Sequence, residues 1–431
     1  ALTVGVPLGP LCGPTRDTRV CRLLDECLAL PVLRDLGLFD VCKKFLVFIK
    51  EICFMQSKPQ HTYNSWGSVQ ERKKEWAPYL AGYRGMGEVH SGGPLVEPPP
   101  TMERGGSGGG SDEWHSRTVV HGLLVISLAH AFFDIRLSGE LCTPKLFEKL
   151  ELYALHACDS FGQMLQLYRA YSASGAGSGP TRERPPSGAA YYDDVRDFLL
   201  CKDDRHAGPR VSPAVASTID PDERPSVHTL TSVLCWAAAD RLRRIAAHFF
   251  RNAERAEYWQ RRAVEMHEGI CRYAWSPRRG AFSTFWGGDT VGPSLLRLAE
   301  VGFIMPEDSR FRGTVLAFEQ DATACAVCVG SADGRPATVD ELGGEALLES
   351  SSTCFMTNTL LWYCEALRSI GSVHESRRIL EALVRCSTHR GILTESIDLR
   401  TAEFWGNAPS LASLLSLLRV APRMSRSWRE V

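Results

Sequence analysis

The sequence predicts an all-α protein of about ten to twelve helices joined by long loops. Apolar side chains recur at three- and four-residue steps along most of the chain, which is the spacing of one face of an α-helix. Strand-like patterning is confined to a short stretch at Ala281–Phe285, beside a Gly-Gly turn. With 431 residues, 44% of them hydrophobic and 23% charged, the chain is long enough for about two or three domains or for one large helical toroid.

Five long segments carry the helical periodicity most clearly. Within each of them, aliphatic and aromatic side chains fall on one face, so each helix is predicted to pack that face against a core. In chain order the predicted helices are Leu146–Tyr171, Leu230–Phe250, Ala253–Trp275, Met356–Ile370 and His374–Cys386.

Two stretches interrupt this pattern and are predicted to be insertions. Residues 105–111 are almost entirely Gly and Ser, and residues 172–217 are rich in Ser, Gly, Pro and charged side chains. Such compositions bury too little apolar surface to offset the entropy lost on ordering, so we expect both to be mobile. Because helical patterns flank both, the sequence predicts a single domain over residues 1–431, with the insertions as candidate contacts for a protein partner.

Charge and cysteine content limit the classes of function. The formal net charge is −1, so no basic field favours a nucleic acid, and no apolar run is long enough to span a bilayer. Many of the 15 cysteines, such as Cys235 and Cys364, lie in apolar runs, which favours buried free thiols and a reducing compartment such as the cytoplasm. The first residue is Ala1 rather than Met, which is compatible with a leader segment that has been removed. The CxxC at Cys325–Cys328 has no second pair near it, so we expect no metal and no cofactor.

The segment Gly391–Pro409 is the most informative for chemistry. One of its carboxylates, Glu395, lies on a turn between two apolar helical runs and is followed by Trp405 and Asn407 in a Trp-Gly-Asn-x-Pro cluster. A sugar-cleaving site needs a carboxylate beside an aromatic ring, because the carboxylate activates water and the ring packs on the pyranose. The spacing by itself fits a helix-capping loop with a solvated Glu equally well.

Segments along nearly the whole chain resemble glycoside hydrolase family fifteen, which contains the glucoamylases and trehalases. The segments that carry the resemblance are Ala1–Thr3, Leu80–Gly85, His228–Arg241, Phe285–Phe311 and Leu393–Trp428. The resemblance implies an (α/α)6 barrel of six inner and six outer helices, with the active site at one end and without the N-terminal β-sandwich of the family. It also implies inverting hydrolysis by two carboxylates about 6.5–9.5 Å apart.

The resemblance places the general base on Glu395 and the loop that follows it on Trp405 and Asn407. The general acid falls on Asp220, with Glu223 as a substitute if the loop shifts. Asp is one methylene shorter than the Glu of the family, and a displacement near 1 Å can lower a rate by roughly a hundredfold. A solvated Asp-Pro-Asp-Glu turn explains these residues as well.

The glucose-binding segment of the family aligns with residues 17–25, where Asp17, Arg19 and Asp25 are retained. The stacking Trp has become Arg22, and the Arg that holds sugar hydroxyls has become Leu24. A missing donor costs about 1–3 kcal/mol for each hydroxyl left without a partner. Further along, residues 83 and 84, a Tyr and an Arg, match the start of a substrate loop, but the residues after them depart from the family.

Helical segments therefore match the family better than the loops that face the sugar. This pattern favours a glucoamylase-like domain whose chemistry has weakened or been lost, and which acts as a structural, regulatory or α-glucan-binding module. The alternative is an active exo-acting α-glucosidase of the glucoamylase or trehalase type, which cuts α-glucan or trehalose with Glu395 as base.

Overall fold

The computed structural model describes residues 6–8, 20–55, 82–84, 88–89, 111–173, 227–324, 354–387, 391–394, 396–398 and 403–424. Helices dominate these ranges. They are α1 (Leu23–Asp35), α2 (Phe39–Met55), α3 (Ser111–Phe133), α4 (Pro144–Ala173), α5 (Thr229–Arg244), α6 (Ala253–Tyr273), α7 (Leu298–Val301), α8 (Ser309–Ala324), α9 (Thr357–Ser369), α10 (Val373–Cys386) and α11 (Leu411–Met424). A π-helical turn, Ile245–Phe249, extends α5, and a 3-10 turn, Pro293–Arg297, leads into α7.

Short strands form three small antiparallel sheets. One sheet has the order β1-β9-β8-β7, the second β2-β3-β4 and the third β5-β6. Their bounds are β1 (Val6–Leu8), β2 (Val20–Arg22), β3 (Gly82–Arg84), β4 (Glu88–Val89), β5 (Trp275–Ser276), β6 (Ala281–Phe282), β7 (Cys354–Met356), β8 (Ser396–Asp398) and β9 (Glu403–Ala408).

Helices α1 and α11 run side by side in the same direction. Ala29, in the middle of α1, packs in one cluster with Leu415, in the second turn of α11. At the C-terminal ends, an Arg423 guanidinium nitrogen lies 3.3 Å from a carboxylate oxygen of Asp35. Contacts that stay in step along both helices require parallel axes.

The same reasoning applies to α9 and α11. Asn358 and Ala412, each in the first turn of its helix, line one cavity. Two turns later, the carboxylate of Glu365 accepts hydrogen bonds from Arg419 and Arg423. Helices α9 and α11 are therefore parallel, and α1, α9 and α11 all begin at the same end of the molecule.

Helix α3 joins this set on the other side of α1. Arg34, near the end of α1, donates to His130, near the end of α3. Gly122 of α3 lies against Leu234 of α5. About three turns further along both helices, Phe133 and Arg244 line a common cavity. These contacts make α1, α3 and α5 parallel neighbours.

The segment Pro293–Val301 completes the ring. Its start meets the start of α5, where a His228 ring nitrogen lies 3.5 Å from the Ser294 hydroxyl. Its end meets the end of α5, where Arg241 donates to the carbonyl of Val301. Arg297 then covers the ring of Trp362 in α9. The inner ring runs in the order α1, α3, α5, Pro293–Val301, α9, α11 and back to α1.

The intervening helices α2, α4, α6, α8 and α10 form the outer layer. Inner helix α5 is buried almost throughout, as expected for a helix with neighbours on all sides. Outer helix α6 instead buries only one stripe, with Trp259, Ala263, Met266 and Ile270 facing the core at helical spacing. This alternation of buried inner helices and one-sided outer helices is the predicted (α/α)6 architecture, which the structure confirms.

The predicted helices agree with the structure to within about one turn. The interpretation of Trp405 and Asn407 as loop residues is wrong, because both lie in strand β9, which hydrogen-bonds to β1 and β8. Helix α4 also continues to Ala173, beyond the predicted start of the second insertion. The rest of that insertion, and residues 105–110 of the first, lie outside the described residues.

Cys235 and Cys364 are buried free thiols, as predicted. Burial raises the pKa of both thiols, so neither is a ready nucleophile. The pair Cys325–Cys328 lies outside the described residues. No helix in the described part of the chain combines the length and the apolar content needed to cross a membrane.

Candidate active site

The N-terminal ends of the inner helices carry the two larger sheets. Strand β2 leads directly into α1, β7 leads directly into α9, and β9 precedes α11 by two residues. Because the inner helices are parallel, these strands meet at one end of the barrel, which we call the strand-bearing end. Of the predicted site residues, the structure describes five, and all five belong to elements at this end: Asp25, Tyr83, Arg84, Trp405 and Asn407.

One wall of the strand-bearing end is the β2-β3-β4 sheet. Residues Val20 and Cys21 of β2 pair with Arg84 and Tyr83 of β3, although about sixty positions separate the two strands in the chain. Asp25 follows in the first turn of α1. The backbone therefore places three of the candidate sugar-binding residues around one strand pair. Arg19 lies outside the described residues.

The second wall is the β1-β9-β8-β7 sheet. On β9, Trp405 pairs with Ser396 of β8, and Asn407 pairs with Pro7 of β1. Ser396 also pairs with Met356 of β7, so the backbone at the start of β8 is held from both sides. Glu395, the residue before Ser396, lies outside the described residues.

The backbone that leads to Glu395 is fixed to the start of α11. The N–H of Ser410 donates to the carbonyl of Leu393 at 2.9 Å. The Ser413 hydroxyl donates to the carbonyl of Thr394 at 2.8 Å. Both carbonyl groups are thereby satisfied away from water, as buried backbone polar groups require. The chain on both sides of the predicted base is thus held by a helix and by two strands.

A third segment enters this end at the start of α5, where His228 is the N-cap residue and its ring accepts from the N–H of Thr231. Thr229 binds the 283–284 backbone, its N–H donating to Thr284 at 2.8 Å and its hydroxyl to Ser283 at 2.6 Å. The acid candidates Asp220 and Glu223 precede the first described residue of this segment, Val227, and lie outside the described residues.

A small cavity lies beneath the second wall, inside the ring. Its volume of about 30 Å³ is enough for roughly two ordered waters. The residues that line it come from α1, the Pro293–Val301 segment, α9 and α11: Val32, Arg297, Glu300, Asn358, Trp362, Glu365, Ala412, Leu415, Ser416 and Arg419.

Two arginines and two glutamates form the floor of this cavity. Arg297 donates to both carboxylate oxygens of Glu300, and its Nε lies 2.8 Å from Oε2. Arg419 bridges Glu300 and Glu365. Burial raises the pKa of Glu300, but Arg297 and Arg419 lower it by more, so its pKa falls to about 2. Glu300 is therefore ionised and paired, and Glu365 is paired with Arg419 and Arg423.

No pattern in the sequence predicts this floor. Glu365 and Arg419 lie within apolar helical runs, where a charged residue at helical spacing usually faces solvent. Both are largely withdrawn from solvent, with side chains 13% and 15% exposed, because the ring brings two parallel inner helices against each other. Among the described residues, no group of three or more His, Cys, Asp or Glu is arranged to hold a metal ion.

Comparison with known proteins first concerns sequence. No family model matches the chain. A trehalase of Thermoplasma acidophilum is 28% identical over 204 residues, which is 47% of this chain and 33% of the relative. A trehalase of Mycobacterium tuberculosis is 28% identical over 208 residues, 48% of this chain and 29% of the relative. The match thus spans about half of this chain and about a third of each relative.

Solved structures extend the likeness to nearly the whole chain. A wild-type glycosidase superposes with a TM-score of 0.53 at 14% identity, covering 99% of this chain and 92% of the other. A glycosidase variant in complex with glucose gives a TM-score of 0.52 at 12% identity, covering 94% and 88%. At these identities the likeness concerns the fold. By its trehalase matches and its toroid of paired helices, this chain is related to the glucoamylase- and trehalase-like glycoside hydrolases.

Proposed function

We propose that this chain is a trehalase-like domain that binds an α-glucoside, trehalose or an α-glucan, at the strand-bearing end, with hydrolysis weakened or lost. The observation that carries the proposal is the pairing of β2 with β3 and of β8 with β9 around the starts of parallel inner helices. These pairings support a sugar site at this end of the barrel. The trehalase relatives favour a glucose disaccharide as ligand.

Three substitutions support the loss of activity. Arg22 and Leu24 stand where the resemblance expects the stacking Trp and the hydroxyl-binding Arg, and Arg22 belongs to the β2-β3 pair. Asp220 stands where a longer Glu is expected. Each lost hydrogen bond to a sugar hydroxyl costs about 1–3 kcal/mol. Such changes lower the rate of hydrolysis more than they alter the shape of the pocket.

The second candidate is an active inverting hydrolase with Glu395 as base and Asp220 or Glu223 as acid. One observation favours it, which is that the backbone on both sides of Glu395 is held by hydrogen bonds from α11 and by strand pairing. A base held this firmly suits the activation of water opposite an acid. As part of either proposal, we treat residues 1–431 as one domain in which the two insertions offer contacts to a protein partner.

Glucose release and calorimetry distinguish the candidates. We expect the parent protein to release no glucose from trehalose or maltotriose above background, but to give a binding heat with at least one of them. The variant Glu395→Gln tests the base, and Glu381→Gln is a matched control, because Glu381 is exposed on outer helix α10. Glu395→Gln should leave binding within about tenfold of the parent, since the amide keeps the size of the carboxylate.

Glucose release that disappears in Glu395→Gln and persists in Glu381→Gln would overturn the loss of activity and establish the second candidate. Absence of both glucose release and binding heat would overturn both candidates. Only a structural role for the barrel would then remain.

A further inference from the structure

Asn358, in the first turn of α9, is the most unusual polar residue of the cavity. It is 1% exposed, and neither its amide nitrogen nor its amide oxygen has a hydrogen-bond partner among the described residues. The large majority of buried side-chain polar atoms in proteins are paired, and each unpaired one costs about 1–3 kcal/mol. Two unpaired atoms on one buried amide therefore require a partner that the described part of the chain does not supply.

The charged residues near Asn358 form ion pairs with one another. Arg297 is bound to Glu300, and Arg419 is bound to both Glu300 and Glu365. Arg423 binds Glu365 from below and is itself paired with Asp35, so the whole network holds three cations and three anions. An anionic ligand would meet the glutamates, and a cationic ligand would meet the arginines, so the cavity favours a neutral polar ligand.

The backbone places Asn358 close to the predicted catalytic base. Met356, two residues earlier, pairs with Ser396, the residue that follows Glu395. Ala412, which lines the same cavity as Asn358, lies between Ser410 and Ser413, the two residues that hold the backbone before Glu395. Asn358 thus lies directly beneath the strand-bearing end rather than in a separate part of the barrel.

We propose that the carboxamide of Asn358 binds two adjacent hydroxyl groups of the terminal glucose unit. Its oxygen accepts from one hydroxyl, and its nitrogen donates to the oxygen of the next, a pattern that a neutral vicinal diol satisfies in full. The inference rests on the proposed function, because it names a binding group at the same site. It assigns Asn358 to sugar binding whether or not the bound sugar is hydrolysed.

Calorimetric titration of the full chain with trehalose and with glucose tests this. In Asn358→Leu, a side chain of similar size fills the space without polar atoms. We expect the dissociation constant to rise about tenfold or more, while the urea midpoint stays equal or increases, because no protein hydrogen bond is removed. A purely structural amide would instead lower the urea midpoint and leave sugar affinity unchanged.

Thr357→Val is the matched control. Thr357 lies in the same turn of α9, and its buried hydroxyl also lacks a partner among the described residues, but it does not line the cavity. This variant should keep the sugar affinity of the parent. If Asn358→Leu does not fold, Asn358→Ala leaves room for water and should show the same loss of affinity.

The outcomes separate the two proposals. If the parent binds trehalose or glucose and the Asn358 variants bind equally well, this inference is overturned and the proposed function stands, with an ordered water as the partner of the amide. If the parent binds no sugar, the proposed function fails and the inference fails with it.

Discussion

His130 shows how one fixed cation determines the protonation of a buried ring. Its Nδ1 lies 2.8 Å from a guanidinium nitrogen of Arg34. Since arginine only donates, Nδ1 must accept, and the proton of the neutral ring is on Nε2. Burial lowers the pKa of His130 most, the Arg34 charge lowers it further, and the result is about 3. The native protein therefore keeps this ring neutral down to strongly acidic pH.

This has a measurable consequence for stability. An unfolded His has a pKa near 6.5, so its ring is protonated below that pH. In the native protein the same ring is protonated only near pH 3. Stability is therefore complete above about pH 6.5 and falls as pH decreases toward 3, by about 1 kcal/mol per pH unit. We expect His130→Gln, whose amide oxygen still accepts from Arg34, to flatten this decline in urea unfolding between pH 7 and 5.

The control is His374→Gln on the exposed side of α10, which should keep the slope of the parent. The stabilising charge of Glu300 is lost only at lower pH, between its unfolded value of 4.5 and its native pKa of about 2. The two windows overlap only below pH 4.5, so the decline between pH 7 and 5 reports His130 and not Glu300. An unchanged slope in His130→Gln would contradict the assignment.

Between elements, the crossing of α8 over the β5-β6 turn depends on glycine. A Cβ placed on Gly313 of α8 would overlap the carbonyl oxygen of Gly280. Gly280 has a φ of 61°, a left-handed conformation that side chains disfavour, so the turn cannot easily withdraw. Two glycines together therefore set how closely the outer helix approaches the turn.

We expect Gly313→Ala to lower the free energy of unfolding by about 1–3 kcal/mol, because the helix must shift away from the turn. Gly162→Ala is the matched control, since Gly162 is also helical but a Cβ there would meet no heavy atom within 4 Å. That variant should gain about 0.5–1 kcal/mol from better helix propensity. Equal effects of the two changes in urea unfolding would contradict the close crossing.

For the molecule as a whole, the barrel closes where the first described helix meets the last. Ala29 and Val32 of α1 pack with Leu415 of α11 in a small buried cluster. Arg423 adds an ion pair to Asp35 at the end of the same seam. Each inner helix packs against two inner neighbours. Opening this seam therefore takes one of the two neighbours away from both α1 and α11.

The seam predicts cooperative loss of structure. Leu415→Ala should cost about 2–5 kcal/mol, because it leaves a cavity between α1 and α11. Leu418→Ala, on the same helix but 43% exposed, should cost less than about 1 kcal/mol. Tryptophan fluorescence and far-ultraviolet circular dichroism should report one coincident urea transition in both variants. Similar costs for the two leucines, or separate transitions, would contradict closure through this seam.

The sequence by itself determined the helices of this protein and the general position of its site. Helical periodicity is local, so segments such as Leu230–Phe250 and His374–Cys386 could be recognised from their own residues. The resemblance supplied the order of those helices around a barrel. It also assigned candidate roles to residues such as Glu395 and Asp220, and those roles remain predictions.

Only the tertiary structure decided how the strand-bearing end is built. The three residues of β8 pair with β7 and β9, and β2 pairs with a strand far along the chain. No local sequence pattern therefore predicts these strands. The same holds for Glu365, Arg419 and Asn358, which look like ordinary residues of apolar helices. They become an ion-paired floor and an unpaired amide because parallel inner helices bring distant residues into one water-poor space, where every charge and amide needs a partner.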